Sequence, residues 1–309
     1  MRILFMGTPD FAVGSLRAMV EAGLDVVGVV SQPDKPKGRG HKLVPTEVKA
    51  AAQELGIQVY QPEKLKSGEL MPILEELKPE LIVVTAYGKI LPPYIINYPK
   101  YGCINVHASL LPKYRGAAPI QWAIINGEKE TGVTIMKMDD GLDTGDMLYV
   151  EKTEIGEYET AEELFDRLSV IGGDALVKTI NMIETITPTP QEHENHTYAP
   201  MISKENGKID WNKSAKEISK LICGLNSWPL AYTTYKSEPL KIVTAQVTEG
   251  KGAPGEILSL DKGKGLKIAT GDGALYVQIA QFAGSRKMNV EDYNRGHEIE
   301  IGVVLGKEV

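Results

Sequence analysis

Two polar side chains interrupt an apolar strand pattern near residue 105. In the stretch CINVHASLLP (103–112), Ile104 and Val106 alternate with Asn105 and His107. A strand has a side-chain period of two, so the amide and the imidazole share one face, about 6.6 Å apart along the strand. An amide N–H can stabilise a developing oxyanion, and an imidazole can transfer a proton. The pair is therefore either a catalytic face or a satisfied polar pair in the core.

Acids and glycines stand together in DDGLDTGD (139–146), directly after another predicted strand. Oxygen ligands suit magnesium or calcium, so a metal site is one interpretation. A solvated acidic turn is a second interpretation. In the third, one acid reaches back to His107 and sets its tautomer and charge, as carboxylates do for catalytic imidazoles.

The loop QPDKPKGRGHKL (32–43) is basic and has too few apolar residues to pack into a core. Its basic side chains are Lys35, Lys37, Arg39, His41 and Lys42. The loop is either a flexible solvated connector or a contact surface for a nucleic-acid backbone. We expect it to be mobile in the free protein.

Predicted strands and helices alternate in the first half of the chain, which positions these groups. The predicted strands are 2–7, 25–32, 57–61, 81–87, the strand that holds Asn105 and His107, 131–138 and 148–155. The predicted helices are 10–23, 45–56, 67–78, 117–126 and 160–185. This alternation predicts an α/β fold with a doubly wound, mostly parallel sheet, in which ligands bind beyond the carboxyl ends of the strands. The turn MGTPDF (6–11) matches neither GxGxxG nor GxxxxGK[ST], which argues against nicotinamide binding and against a P-loop.

The second half of the chain has a different pattern. A polar, proline-containing stretch at 189–207 predicts a linker between a catalytic domain (1–188) and a C-terminal domain (208–309). In the C-terminal domain, one short helix at 214–222 precedes short strands with glycine- or proline-marked turns. We expect these strands to form a small β-barrel of roughly five strands.

Composition excludes several classes of protein. The chain has 309 residues, 42% apolar and 24% charged, with a net charge of −7, so it is not a basic nucleic-acid binder as a whole. Residues 204–309 carry a net +2 and residues 1–203 a net −9. Two cysteines cannot form a disulfide framework. The chain opens directly into a strand-like segment and contains no run of about 18 apolar residues, so we expect a cytoplasmic protein.

Six segments resemble the methionyl-tRNA formyltransferase family, in the same order along the chain. They are MRILFMGTPDFAV, QPDKPKGRGHKL, AYGKILP, NVHASLLPKYRGAAPIQWAI, TGVTIMKMDDGLDTGDM and TYAPMISKENGKIDW. NVHxSLLP with a later Asp is typical of the wider folate-dependent formyltransferase superfamily. That superfamily includes the glycinamide ribonucleotide and amino-sugar formyltransferases and formyltetrahydrofolate hydrolase. The GTPDFA start, the GRG loop and the additional C-terminal β region favour the tRNA enzymes.

The resemblance implies a Rossmann-like catalytic domain followed by a domain resembling an OB fold. It implies formyl transfer from 10-formyltetrahydrofolate to the α-amino group of methionyl initiator tRNA, giving N-formylmethionyl-tRNA for translation initiation. The implied partners are the charged initiator tRNA and the folate, without a metal or a membrane. We expect a monomer.

The resemblance also assigns residues by matching position. The implied catalytic trio is Asn105, His107 and Asp143. The implied folate-binding residues are Ser109, Leu110, Leu111, Pro112 and Leu91. The implied tRNA contacts are Arg39, Lys35, Lys37 and Lys42, with Arg39 the leading one.

One segment departs from the family pattern. Where members often have RGLNPWPGAYT, this chain has CGLNSWPLAYT, with Cys223, Ser227 and Leu230 at the changed positions. The change bears on how the C-terminal domain contacts tRNA and leaves the chemistry untouched. The alternatives are a formyltransferase for an amino sugar nucleotide or glycinamide ribonucleotide, and a non-catalytic tRNA-binding protein. The intact trio argues against the last of these.

Overall fold

The computed structural model describes residues 1–37 and 42–307, which form two compact units. The first unit comprises Met1–Gly116, Thr131–Thr153 and Phe165–Tyr198. The second comprises Ala117–Glu130, Glu154–Leu164 and the chain from Ala199 onward. Of the helices in the described residues, none combines the length and the apolar character needed to cross a membrane.

The strands, numbered along the chain, are as follows. They are β1 (Arg2–Gly7), β2 (Asp25–Val30), β3 (Lys35–Lys37), β4 (Lys42–Val44), β5 (Val59–Tyr60), β6 (Leu81–Thr85), β7 (Cys103–His107), β8 (Arg115–Gly116), β9 (Glu130–Lys137), β10 (Met147–Glu154), β11 (Tyr198–Ala199), β12 (Ala231–Tyr235), β13 (Glu238–Thr248), β14 (Ile257–Asp261), β15 (Gly265–Ala269), β16 (Ala274–Phe282) and β17 (Met288–Asn289).

The helices are numbered in the same way. They are α1 (Asp10–Glu21), α2 (Glu47–Glu54), α3 (Met71–Leu77), α4 (Pro93–Ile96), α5 (Pro119–Ile125), α6 (Ala161–Asn181), α7 (Ala215–Gly224) and α8 (Val290–Gly296). Short 3-10 helices occupy Leu65–Ser67, His193–Asn195 and Glu205–Gly207.

The central sheet of the first unit has the strand order β10-β9-β7-β6-β1-β2-β5. The pairs β7–β6, β6–β1, β1–β2 and β2–β5 are parallel, and β9 runs antiparallel to β7. Strands such as LIVVT in β6 are buried along their whole length, because a parallel sheet is covered on both faces. The prediction of a mostly parallel sheet in an α/β fold is confirmed.

Helices lie against both faces of this sheet near β7. On one face, Cys103 belongs to the same buried cluster as Leu74 of α3 and Ile95 of α4. On the other face, α6 passes so close that a Cβ on Gly172 would lie 3.1 Å from Val106. By the alternation of a strand, Asn105 shares the face of Cys103. The polar pair therefore lies on the side of the sheet that carries α3 and α4.

The ends of the basic loop are more regular than the sequence predicted. β3 and β4 form a short antiparallel hairpin, in which Lys35 pairs with Val44. At its base, the Lys49 ammonium lies 2.7 Å from Asp34 and 2.7 Å from the Gln61 side-chain oxygen. The hydrogen bond from Lys49 is the main cause that lowers the pKa of Asp34. The sequence did not predict this hairpin, but its described residues Lys35, Leu43 and Val44 are exposed, as expected of a loop that does not pack into a core.

The second unit contains a six-stranded sheet with the order β12-β13-β16-β15-β14 and β17 paired to β16. The described pairings are antiparallel, and Trp211, Ile218, Ile242, Leu275 and Phe282 belong to its buried core. The prediction that the C-terminal part is built mainly from strands is confirmed, and these strands form an antiparallel sheet. Its closure into a small β-barrel stays a prediction.

Helices α5 and α7 pack closely within the second unit. A Cβ on Gly224 would lie 3.0 Å from the carbonyl oxygen of Gln121, so glycine permits this approach. An apolar cluster formed by Ala118, Trp122, Ile125, Ile202, Leu221 and Leu225 accompanies the contact.

The ends of three helices differ from or add to the predicted elements. Pro9 holds the N-cap position of α1, and the Asp10 carboxylate accepts from the Phe11 N–H. The helix predicted over 160–185 ends at Asn181. Helix α8 was not predicted, and its Asn289 side chain caps it by accepting from the Glu291 N–H.

Candidate active site

His107 ends β7 and is held by a backbone carbonyl. Its Nε2 lies 2.9 Å from the carbonyl oxygen of Tyr114. A carbonyl can only accept, so Nε2 carries the hydrogen in this arrangement and Nδ1 is the ring nitrogen free to take a proton. Nδ1 lies 3.7 Å from Oδ2 of Asp143, and the two side chains are 6% and 14% exposed. The pair is thus largely shielded from water.

Asp143 is aimed by the loop that contains it. Its backbone has φ of 53°, a left-handed conformation that Asp and Asn adopt more readily than most residues. Its Oδ2 accepts a hydrogen bond of 2.8 Å from the Gly116 N–H. Nearby, a Cβ on Gly145 would lie 1.8 Å from the Lys137 carbonyl oxygen, so only glycine fits there. The acid-and-glycine motif therefore builds a tight loop that presents one carboxylate to the imidazole.

Asn105 stands two residues before His107 on the same face of β7, and it is half-buried. Within the part of the chain that the structure describes, its side chain has no hydrogen-bond partner. Its amide can therefore donate to a ligand without breaking a bond inside the protein. A fixed N–H donor beside an imidazole can stabilise negative charge that develops on an oxygen.

The other acids of the loop have different surroundings. The Asp139 carboxylate accepts from the Gly141 N–H at 3.0 Å and from the Thr144 hydroxyl at 2.6 Å, and both bonds lie within the loop. No group of three or more His, Cys, Asp or Glu in residues 1–37 and 42–307 is placed to hold a metal ion.

The predicted folate-binding residues after β7 lie in a turn that is fixed by hydrogen bonds. Ser109 is fully buried, and its hydroxyl donates to the Lys113 carbonyl at 2.7 Å. Leu111 and Leu91 are 6% and 4% exposed, whereas Leu110 and Pro112 are half-buried. Thr134 of β9 joins this turn to the sheet, because its hydroxyl donates to the Ser109 carbonyl and accepts from the Leu111 N–H. Their role in folate binding stays a prediction.

The predicted tRNA-binding residues are only partly described. Lys35 is exposed and lines a cavity of about 180 Å³ together with Thr8, Gln32 and Thr46, beyond the ends of β1 and β2. Arg39 lies outside the described residues, as do the side chains of Lys37 and Lys42. In the described residues, Lys35 supports the basic character of this edge. For Arg39, Lys37 and Lys42, that character is known from the sequence.

The stretch predicted as a linker supplies residues that sequence reasoning missed. Gln191 is 4% exposed and Arg115 is 6% exposed, and the guanidinium donates to the Gln191 side-chain oxygen at 2.7 Å and 3.1 Å. The Tyr114 N–H donates to the Thr197 hydroxyl at 2.8 Å. A polar stretch without periodicity gives no signal for such contacts. The predicted boundaries at 188 and 208 stay a prediction.

Both halves of the chain match known family models. Residues 1–180 match the model described as "Formyl transferase", and residues 201–298 match "Formyl transferase, C-terminal domain". Two relatives of this chain carry the name methionyl-tRNA formyltransferase. One, from Alkaliphilus oremlandii, is 51% identical over 99% of this chain and 100% of its own length. The other, from Clostridium novyi, is 52% identical over 99% of this chain and 100% of its own length.

A solved structure shares the fold. It is HypX from Aquifex aeolicus in complex with tetrahydrofolic acid, with a TM-score of 0.64 and 19% identity. The match covers 98% of this chain and 50% of the HypX chain.

Proposed function

This chain belongs to the formyl transferase family, and we propose that it transfers a formyl group from 10-formyltetrahydrofolate to the α-amino group of methionyl initiator tRNA. The product is N-formylmethionyl-tRNA for translation initiation. The observation that carries the chemistry is the juxtaposition at the end of β7, where the Asp143 carboxylate lies 3.7 Å from the His107 imidazole. The names of relatives about half identical over the full length support the acceptor substrate.

The α-amine of the aminoacyl-tRNA needs no strong base from the enzyme to become a nucleophile. An α-amine titrates near pH 7.7–8.0, and the electron-withdrawing ester of an aminoacyl-tRNA lowers that value. A useful neutral fraction therefore exists at pH 7. The demanding steps are the stabilisation of an oxyanion and the movement of a proton between two nitrogens.

In the proposed mechanism, Asn105 and His107 serve these two steps. When the amine adds to the formyl carbon, the carbonyl oxygen gains negative charge and the Asn105 N–H donates to it. His107 Nδ1 accepts the proton that the attacking nitrogen loses and delivers it to the leaving nitrogen of the folate. The bond from that nitrogen to the formyl carbon breaks, and the formamide remains on the methionyl group. Asp143 stabilises the imidazolium that exists between the two transfers.

The remaining assignments extend this proposal. Leu110 and Pro112 have the exposed surface that a bound folate needs, with Ser109, Leu111 and Leu91 forming the turn and the core beneath them. Lys35 and Arg39 contact the acceptor arm of the tRNA, with Lys37 and Lys42 supporting them. The C-terminal sheet forms an OB-like domain that adds to the tRNA surface. We further propose a monomer that acts in the cytoplasm.

A direct transfer assay tests this function. Purified protein is mixed with 10-formyltetrahydrofolate carrying a radiolabelled formyl group and with methionyl initiator tRNA. We expect label on the charged tRNA. A dTDP-amino sugar, glycinamide ribonucleotide and uncharged tRNA serve as comparison acceptors. Label on the sugar nucleotide or glycinamide ribonucleotide, with none on the charged tRNA, would overturn the proposal.

A further inference from the structure

The segment from Thr189 to Thr197 contacts both loops that hold the His107–Asp143 pair. Thr189 exchanges two backbone hydrogen bonds of 2.8 Å with Met147, just after the Asp143 loop. At its other end, the Thr197 carbonyl accepts from the Arg115 N–H at 2.9 Å. The segment therefore forms a strap, defined here as residues 189–197, between the Asp143 loop and the loop whose carbonyl holds His107.

Gln191 is the centre of the strap. Its amide nitrogen donates to the carbonyl oxygens of Asp143 at 2.9 Å and of Gly145 at 2.7 Å. Its side-chain oxygen accepts both hydrogen bonds from Arg115. All four hydrogen-bonding positions of one buried amide are thus used, so its orientation is fixed.

Arg115 determines which way this amide faces. An amide with its oxygen and nitrogen exchanged would turn N–H groups toward the guanidinium and an oxygen toward two carbonyls, which leaves every contact unfavourable. Arg115 also bonds the His193 Nδ1 at 3.0 Å, and no ion pair of the described residues includes Arg115. A charged donor into the Gln191 oxygen strengthens the donation of its N–H groups on the far side.

We propose that Gln191, oriented by Arg115, is a positioning residue that holds the Asp143 loop so that its carboxylate faces His107 Nδ1. The proposal rests on the proposed function of the His107–Asp143 pair. The strap does not touch the reacting atoms; it fixes the backbone on both sides of a residue in the left-handed region. Without the Gln191 donors, the Asp143 and Gly145 carbonyls lose their protein partner on this side, and the loop can turn the carboxylate away.

Gln191→Glu separates the two contacts of this side chain. A carboxylate keeps its oxygen acceptors for Arg115, so the strap stays attached. It lacks N–H donors, however, and places an oxygen against the two carbonyls of the Asp143 loop. Misplacement by about 1 Å can cost roughly 100-fold in rate. We therefore expect kcat to fall 10- to 100-fold, with KM for both substrates changed less than threefold, in a protein that is still folded but has a lower thermal midpoint.

A double-mutant cycle decides whether Gln191 acts through Asp143. If it does, adding Gln191→Glu to Asp143→Asn lowers kcat by less than threefold further, because the carboxylate that Gln191 positions is already gone. Independent, multiplicative losses would overturn the proposal, as would native kcat in Gln191→Glu. Asn195→Ala is the matched control on the exposed part of the strap and should have native kinetics.

Two further measurements keep the outcomes distinct. Arg115→Lys keeps the positive charge and loses the forked set of donors. Its kcat should fall less than that of Gln191→Glu, and this fall should again be absent in the Asp143→Asn background. If Gln191→Glu unfolds, Arg115→Lys takes its place in the cycle. Full activity of Asp143→Asn alone would overturn the assignment of the pair and the strap with it. A large loss in Asp143→Asn with native Gln191→Glu would overturn the strap alone.

Discussion

Replacing Asp143 by Asn is the cleanest test of the charge beside His107. The two side chains have nearly the same shape, and both residues tolerate the left-handed φ of 53° found at this position. The Asn amide oxygen can still accept the Gly116 N–H that now bonds Oδ2 at 2.8 Å. The substitution therefore removes one negative charge and leaves the loop geometry in place.

The size of the effect follows from the separation of the charges. With an effective dielectric constant of about 20, a carboxylate 3.7 Å from an imidazolium contributes about 4 kcal/mol. Every 1.36 kcal/mol of lost transition-state stabilisation is a factor of about ten in rate. Partial exposure of the Asp143 side chain lets solvent screen part of this energy. We expect kcat to fall about 100- to 1,000-fold.

The assay measures single-turnover formyl transfer at saturating substrates, together with both KM values and the thermal midpoint. Asp140→Asn is the matched control, because it removes the same charge from an exposed position in the same loop. That control should keep kcat within twofold of the native value. The proposed role of Asp143 fails if kcat of Asp143→Asn stays within tenfold of native while the protein is folded.

A second substitution separates geometry from charge. Asp143→Ala also leaves the Gly116 N–H without its acceptor, at a cost of about 1–3 kcal/mol when buried, and puts Ala in a left-handed conformation at about 1–2 kcal/mol. Its thermal midpoint should therefore fall clearly below that of Asp143→Asn. Equal midpoints for the two variants would show that the loop does not depend on this hydrogen bond.

Three further predictions concern other parts of the chain. His107→Ala and Asn105→Ala should fold normally and lose transfer by several orders of magnitude, with roughly 3–4 kcal/mol from the oxyanion donor alone; near-native kcat in either would contradict the mechanism. Arg39→Ala should weaken binding of methionyl-tRNA and reduce its salt dependence by about one phosphate contact, with folate affinity unchanged; identical salt slopes would contradict this. Burial raises the pKa of Cys103 from 9.0 to about 12, so the folded protein keeps a proton that the unfolded chain loses; stability is full below pH 9 and falls by about 1.4 kcal/mol per unit as pH rises toward 12. Urea unfolding between pH 8 and 10.5 should show this fall in stability, and Cys103→Ala should make the fall smaller; an unchanged slope in Cys103→Ala would contradict the assignment.

The central sheet could be predicted because each of its strands, and each helix between them, has a pattern within its own segment of the sequence. Buried parallel strands appear as unbroken apolar runs, and the helices between them have apolar residues at helical spacing. Each of these elements can therefore be recognised from about ten consecutive residues. The short elements could not be found in this way. Helix α8 depends on its Asn289 cap, and β3 and β4 depend on pairing with each other across a loop of lysines, prolines and glycines.

The residues of the site also differ in whether a single segment of the sequence reveals them. Asn105 and His107 stand two residues apart on one strand, so a single segment reveals them. The strap could not be predicted from the sequence, because its contacts join distant parts of the chain. Gln191 lies 76 residues from Arg115 and 48 residues from Asp143. A polar residue in an irregular stretch has the same appearance in the sequence whether it is solvated or buried with four hydrogen bonds. Only the folded chain distinguishes the two.

Helix α5 has a consequence for how such chains can be recombined. It lies inside the stretch matched by the first family model, yet it packs against α7, which lies inside the stretch matched by the second. The fit depends on Gly224, because a Cβ there would lie 2.5 Å from Ile125 Cγ1 and 3.0 Å from the Gln121 carbonyl oxygen. A chimaera joined near residue 200 would take the two halves of this helix pair from different parents. A graft of the C-terminal domain should therefore carry residues 117–130 with it, and a fragment cut after the first match would present Trp122 and Ile125 to water and aggregate.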